Sequence, residues 1–168
     1  MDPSKILILG IGNELAGDDA LGPRILREIS EIGPPGIDYK QISSGGLLIL
    51  ESILGYEKVL IIDTIETDSP HKRILRITPE DFSNSTFLSS PHDINFPTAL
   101  ELGKRTASEL MPGIVRIIGI EIPRQKEFSD QISAETQSKI PKIIKLVLEE
   151  IGFFLNENDK KEDDKKRK

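Results

Sequence analysis

Residues 6–22 read ILILGIGNELAGDDALG, from Ile6 to Gly22, and this stretch decides how the chain is organised. Ile6, Leu7, Ile8 and Leu9 form an unbroken aliphatic run, the pattern of a strand buried on both faces of a parallel sheet. The run ends in Gly10-Ile11-Gly12, as a dinucleotide-binding turn would. A third glycine would then fall at position 15, which holds Leu15. Where a pyrophosphate needs positive charge, the chain places Asp18 and Asp19. The turn is expected to carry carboxylates, not phosphate, to the end of the first strand.

The rest of the chain alternates short apolar runs with helical patterns. Strands are predicted at Lys5–Leu9, more weakly at Ile37–Ile42, and at Val59–Ile62, Arg73–Thr78 and Ile114–Ile120. Ile25, Leu26, Ile29 and Ile32 share one helical face, and Gly33-Pro34-Pro35 ends that helix; Pro23 suits its first position, with Gly22 ahead of it. Leu47–Leu54 and Pro97–Leu110 form two further helices. The last carries the apolar stripe Ile140, Ile143, Ile144, Val147, Leu148 and Ile151. This order predicts an α/β fold, a three-layer α/β/α sandwich with a mainly parallel sheet. The link from Ile62 to Arg73 is too short for a helical crossover, so the Arg73 strand is expected to pair antiparallel at an edge.

At 168 residues the chain suits one domain, placed at residues 1–155. Residues 156–168, NENDKKEDDKKRK, are almost wholly charged and offer nothing to bury, so this tail is expected to be disordered. The net charge is −6, a poor match to nucleic acid. No apolar run approaches the roughly 18 residues of a membrane span, and the N-terminus lacks the form of a signal peptide, so no membrane partner is expected. There are no cysteines, which excludes thiolate ligands and nucleophiles and suits a cytoplasmic setting. Gly-x-Ser-x-Gly, His-Glu-x-x-His and phosphate-loop motifs are absent.

Ligands of open α/β sheets bind beyond the carboxyl ends of the strands. There the first strand leads to Asn13, Glu14, Asp18 and Asp19, and the Val59 strand leads to Asp63. His92 precedes a helix after a long loop that can return over the sheet edge. Two carboxylates and an imidazole make a mixed oxygen and nitrogen donor set for a divalent ion. Chemistry alone leaves Asp18 and Asp19 balanced between ligand and helix cap. It favours His92 only mildly over His71, since Ser-Pro-His occurs at both Ser69–His71 and Ser90–His92.

These residues together resemble the hydrogenase maturation endopeptidases, which trim the C-terminus of the large subunit of nickel–iron hydrogenases. The resemblance rests on Gly10-Ile-Gly-Asn13, Asp18-Asp19-Ala-Leu-Gly22, Gly45-Gly46-Leu47-Leu48, Leu60-Ile-Ile-Asp63, Ser90-Pro-His92 and Ile117-Ile-Gly-Ile-Glu-Ile-Pro123, and covers residues 5–152. It implies that Asp19, Asp63 and His92 are the metal-binding and catalytic residues; the interval from Asp63 fits His92 and not His71. Where members commonly carry Ala or Gly after the strand-end Asp, this chain carries Thr64, and His71-Lys72-Arg73 is an unusually basic lead-in to the edge strand.

The activity so implied is that of a peptidase with no permanent cofactor. Its substrate, a hydrogenase large-subunit precursor, brings its own nickel, and the ion reports that the precursor is complete. Gly45 and Gly46 would let substrate backbone approach closely, and the turn through Asn13 would orient the acids. A chaperone that senses nickel without hydrolysis would use the same ligands. A nucleotide-binding oxidoreductase is opposed by Leu15, Asp18 and Asp19.

Overall fold

The computed structural model describes residues 5–43, 46–68, 72–83, 96–124 and 129–166. In chain order its elements are β1 (Ile6–Ile11), α1 (Leu21–Ile32), β2 (Ile37–Ile42), α2 (Leu47–Ile53), β3 (Lys58–Thr67), β4 (Ile74–Ile77), α3 (Phe96–Thr106), β5 (Ile114–Pro123), α4 (Ala134–Gln137) and α5 (Ile140–Lys166). The strands form one sheet in the order β2-β1-β3-β5-β4. β1 pairs parallel with β2 and β3, and β3 pairs parallel with β5. β4 runs antiparallel to β5 at the edge, as the short connection ahead of it requires.

Alternation along the strands divides the core into two layers. Ile6 and Ile8 of β1, Leu60 and Ile62 of β3, and Ile118 and Ile120 of β5 face α1 and α5, meeting Ile25, Ile29, Ile143, Val147 and Phe154. Leu7 and Leu9, Val59 and Ile61, and Ile117 face the other way, onto Ile49, Ile53 and Leu100 of α2 and α3. Every residue of β1 is buried, which explains its wholly aliphatic sequence. The result is the expected α/β/α sandwich.

Several boundaries differ from those read in the sequence. α1 begins at Leu21, so Pro23 is its third residue; the first turn has no intrahelical acceptor for its N–H groups, and a proline there removes no bond. Neither Asp18 nor Asp19 caps α1. Both lie in a 3-10 turn, Gly17–Ala20, and neither that turn nor α1 has a side-chain cap at its start. β3 continues past Ile62 to Thr67, because β5 pairs with it over its whole length. The predicted Pro97–Leu110 helix divides into α3 and a 3-10 turn at Ser108–Leu110. The backbone of α5 is helical from Ile140 to Lys166 and so takes in most of the charged segment. Once a packed helix is nucleated, each further turn adds hydrogen bonds at little cost.

Lys58 opens β3 as the most deeply buried charged side chain of the described core, 1% exposed, and its Nζ donates to the carbonyl of Phe154 in α5. It ties the amino end of the central strand to the C-terminal helix. From β1 the chain passes over one face by α1 to β2, then over the other by α2 to β3. The carboxyl ends of β1 and β3 thus flank the point where strand order reverses, the crevice in which such sheets bind ligands.

Candidate active site

The site is built from the turn after β1 and the outer half of β3. Gly12 has φ +148°, and a Cβ there would stand 2.0 Å from the carbonyl oxygen of Asp19. The chain can fold this tightly only without a side chain at that position. A Cβ on Gly22 would lie 2.2 Å from the Ile11 carbonyl, so α1 starts in direct backbone contact with the end of β1. These glycines bring Asp19 back over the strand that precedes it.

Asp19 is half-buried and held on both carboxylate oxygens. Asn13 N–H donates to Oδ2 at 2.8 Å, and Thr64 Oγ1 donates to Oδ1 at 2.9 Å. Asn13 also braces the turn with its own side chain, Oδ1 accepting from Leu15 N–H at 3.0 Å. Glu14, the remaining acid of the turn, is paired with Arg27 of α1.

Asp63 lies in β3 itself, one residue beyond Ile62, the last position paired with β1. Its Oδ1 accepts the N–H of Thr64 at 2.8 Å. One residue therefore touches both acids, Thr64 through its hydroxyl to Asp19 and through its amide to Asp63. The threonine that stands out in the sequence is the link between the two carboxylates. Asp63 and Asp19 are both half-buried and supply oxygen donors of the type a divalent ion takes.

Among the described residues no three His, Cys, Asp or Glu side chains are grouped to hold a metal. The expected imidazole ligand His92, its alternative His71, and Gly45 lie outside the described residues. Gly46 is described: it caps the start of α2 with φ 70° and ψ −134°, a conformation open to glycine. Leu47 and Leu48 follow it with exposed side chains.

Asp18 takes a role that sequence reasoning misses. It is 3% exposed and points away from Asp19 into the loop before α4. Oδ1 accepts from Ser133 N–H at 2.6 Å, and Oδ2 accepts from Ser133 Oγ and Thr136 Oγ1, each at 2.9 Å. Ser133 is the N-cap of α4 and accepts from Thr136 N–H. Asp18 thus clamps the turn from behind, and Asp19 inherits a fixed backbone. Asp18→Ala would leave the buried Thr136 hydroxyl, and the amide and hydroxyl of Ser133, without this acceptor and should cost about 3 kcal/mol in a urea melt. Asp18→Asn retains one oxygen and should cost about 1 kcal/mol. Equal losses in the two variants would contradict the clamp.

The basic lead-in to β4 is likewise occupied in holding the sheet end. Lys72 Nζ donates to the Thr67 carbonyl at 3.0 Å. Arg73 donates from its main chain at 2.8 Å and from its guanidinium at 3.0 Å to Glu121, which is 4% exposed. The hydrogen bonds from Arg73 hold the Glu121 carboxyl below the usual glutamate range, against the opposing effect of burial. A depressed folded pKa stabilises the fold above the unfolded value and ceases to do so as pH falls through the folded one. Stability should therefore drop as the pH falls below about 4.3, and Glu121→Gln should flatten that part of the profile. An unchanged acid limb in the variant would remove Glu121 from it.

The HycI hydrogenase maturation protease family pattern matches residues 43–150 of the chain. A hydrogenase 2 maturation peptidase from a Thaumarchaeota archaeon is 30% identical, with a TM-score of 0.63 over 88% of this chain and 98% of that one. The hydrogenase maturating endopeptidase HybD from E. coli superposes with a TM-score of 0.70 at 24% identity, covering 88% of this chain and 91% of the other. The [NiFe] hydrogenase maturation protease HybD from Thermococcus kodakarensis does so with a TM-score of 0.67 at 22% identity, over 85% and 96%. By sequence alone no curated protein matches. No helix among the described residues is long and apolar enough to cross a membrane. The family pattern spans the β2–α2 link, Asp63, β5 and most of the amphipathic part of α5, and the chain belongs to the hydrogenase maturation protease family.

Proposed function

We propose that this protein is the endopeptidase that removes the C-terminal extension of a nickel-loaded hydrogenase large-subunit precursor. Nickel already seated in that substrate is read by Asp19, Asp63 and His92. The supporting observation is that Asp19 and Asp63 are both held by Thr64 where the sheet's strand order reverses. Only a precursor that has received its metal brings an ion for these ligands, so metal loading gates cleavage. An ion held there polarises the scissile carbonyl or lowers the pKa of the attacking water. Hydrogen bonds from Asn13 and Thr64 hold the two carboxylates, so they need little reorientation to receive the ion.

The test is to incubate the protein with nickel-loaded and nickel-free precursor and to weigh the products by mass spectrometry. A shortened subunit should appear only with nickel. A stable complex without shortening would favour a nickel-sensing chaperone, and shortening without nickel would remove the metal from recognition. His92→Ala should abolish processing with the fold intact, while His71→Ala should be nearly silent. The reverse pattern would show that the wrong histidine had been assigned as ligand.

A further inference from the structure

β3 is paired further on one side than on the other. Its register with β5 runs from Lys58↔Ile114 to Thr67↔Pro123, whereas its register with β1 stops at Gly10↔Ile62. From Asp63 to Thr67 the β1 side of the strand therefore has no strand beside it among the described residues. The direction of the main-chain groups follows from β5. Glu121 N–H donates to the Arg73 carbonyl at 2.9 Å, so Gly119 and Glu121 face β4 and their neighbours Ile118, Ile120 and Ile122 face β3. In that register Asp63, Ile65 and Thr67 bond to β5, and Ile62, Thr64 and Glu66 face the opposite side. The Ile62 carbonyl agrees, lying 3.0 Å from where a Gly22 Cβ would stand.

The Thr64 N–H is taken by Asp63 Oδ1. Thr64 is only 5% exposed, so the main-chain groups left accessible are those of the half-buried Glu66, which have no partner among the described residues. A donor and an acceptor side by side on one strand edge are the groups with which an extended polypeptide pairs. Leu15, 75% exposed on the turn at this end of the sheet, adds an apolar contact.

We propose that the edge of β3 at Glu66 binds the C-terminal segment of the precursor as an added strand, laying the scissile peptide beside Asp63 and Asp19. This rests on the peptidase reading above. It divides recognition in two: nickel selects which precursor is cut, and the strand edge selects which bond is presented. Main-chain pairing asks little of the side chains it holds, so the cleaved segment can vary in sequence.

Two measurements on the full chain test this, with the nickel-loaded precursor as the probe. Glu66→Pro deletes the donor at a position where the N–H is outside the ladder and proline is tolerated. It should lower kcat/KM at least about tenfold, mainly through KM, and by several-fold more than Glu66→Ala, which keeps the main chain. Equal losses in the two variants, or a folded Glu66→Pro protein that cleaves normally, would overturn the strand edge. Hydrogen exchange at the Glu66 amide of the unaltered protein covers the case in which Glu66→Pro does not fold. Exchange should slow at least about tenfold with precursor bound, and unchanged exchange beside efficient trimming refutes the edge alone. Protection without trimming refutes the peptidase reading and supports the edge, and neither protection nor trimming refutes both.

Discussion

Asp63→Asn should leave the protein folded and unable to trim its precursor. Asparagine keeps the oxygen that accepts the Thr64 N–H, so the local bond that shapes β3 survives. What it loses is the negative charge, and with it the anionic metal ligand of the proposed mechanism and any capacity to take a proton. Deleting such a group typically slows a reaction by about 10²–10⁴-fold. Asp19→Asn is a less clean experiment. Both Asp19 oxygens accept hydrogen bonds, from Asn13 and from Thr64, and an amide offers only one oxygen. That variant should lose activity and also loosen the turn. Activity assays paired with thermal melts separate the two cases, and an Asp63→Asn enzyme cutting at the unaltered rate would remove Asp63 from the reaction.

The second large effect concerns the fold. Gly22→Ala places a methyl group 2.2 Å from the Ile11 carbonyl and 3.0 Å from that of Ile62, both rigid backbone atoms. Neither can give way without moving α1 off the sheet. Overpacking of this kind costs about 3 kcal/mol or more, a large part of the roughly 5–15 kcal/mol that holds a domain together. The melting temperature should fall by about 10 °C. Gly152→Ala is the contrasting substitution, since nothing lies within 4 Å of its Cβ and the residue sits within α5. It should stabilise the protein by about 0.5–1 kcal/mol through helix propensity. A Gly22→Ala protein as stable as the unaltered chain would mean that α1 does not touch β1 as described.

The layered fold is legible in the sequence because burial leaves a period. β1 and the inner half of β3 are continuous aliphatic runs, and α5 carries a regular apolar stripe. The outer half of β3 is not legible, because Thr64, Glu66 and Thr67 look like a turn until β5 is known to pair with them. Asp19 and Asp63 can be placed just beyond the buried aliphatic runs from local pattern alone, although β3 itself continues past Asp63. The partners of Asp18 cannot, since Ser133 is 115 residues away and meets it only when α4 docks. The Arg73–Glu121 pair spans 48 residues, and only the basic character of the Lys72-Arg73 lead-in hints at a buried acid nearby. Local chemistry shows which residues can act; long-range packing decides which of two adjacent aspartates meets Thr64 of β3 and which is committed to the loop before α4.

A crystal structure of the protein soaked with a divalent metal tests the convergence of ligands most directly. The expected result is one ion within about 2.0–2.2 Å of carboxylate oxygens of Asp19 and Asp63 and of a ring nitrogen of His92. An ion held by His71, or by Asp18 in place of Asp19, would contradict the site, as would an Asp19–Asp63 crevice left empty at saturating metal.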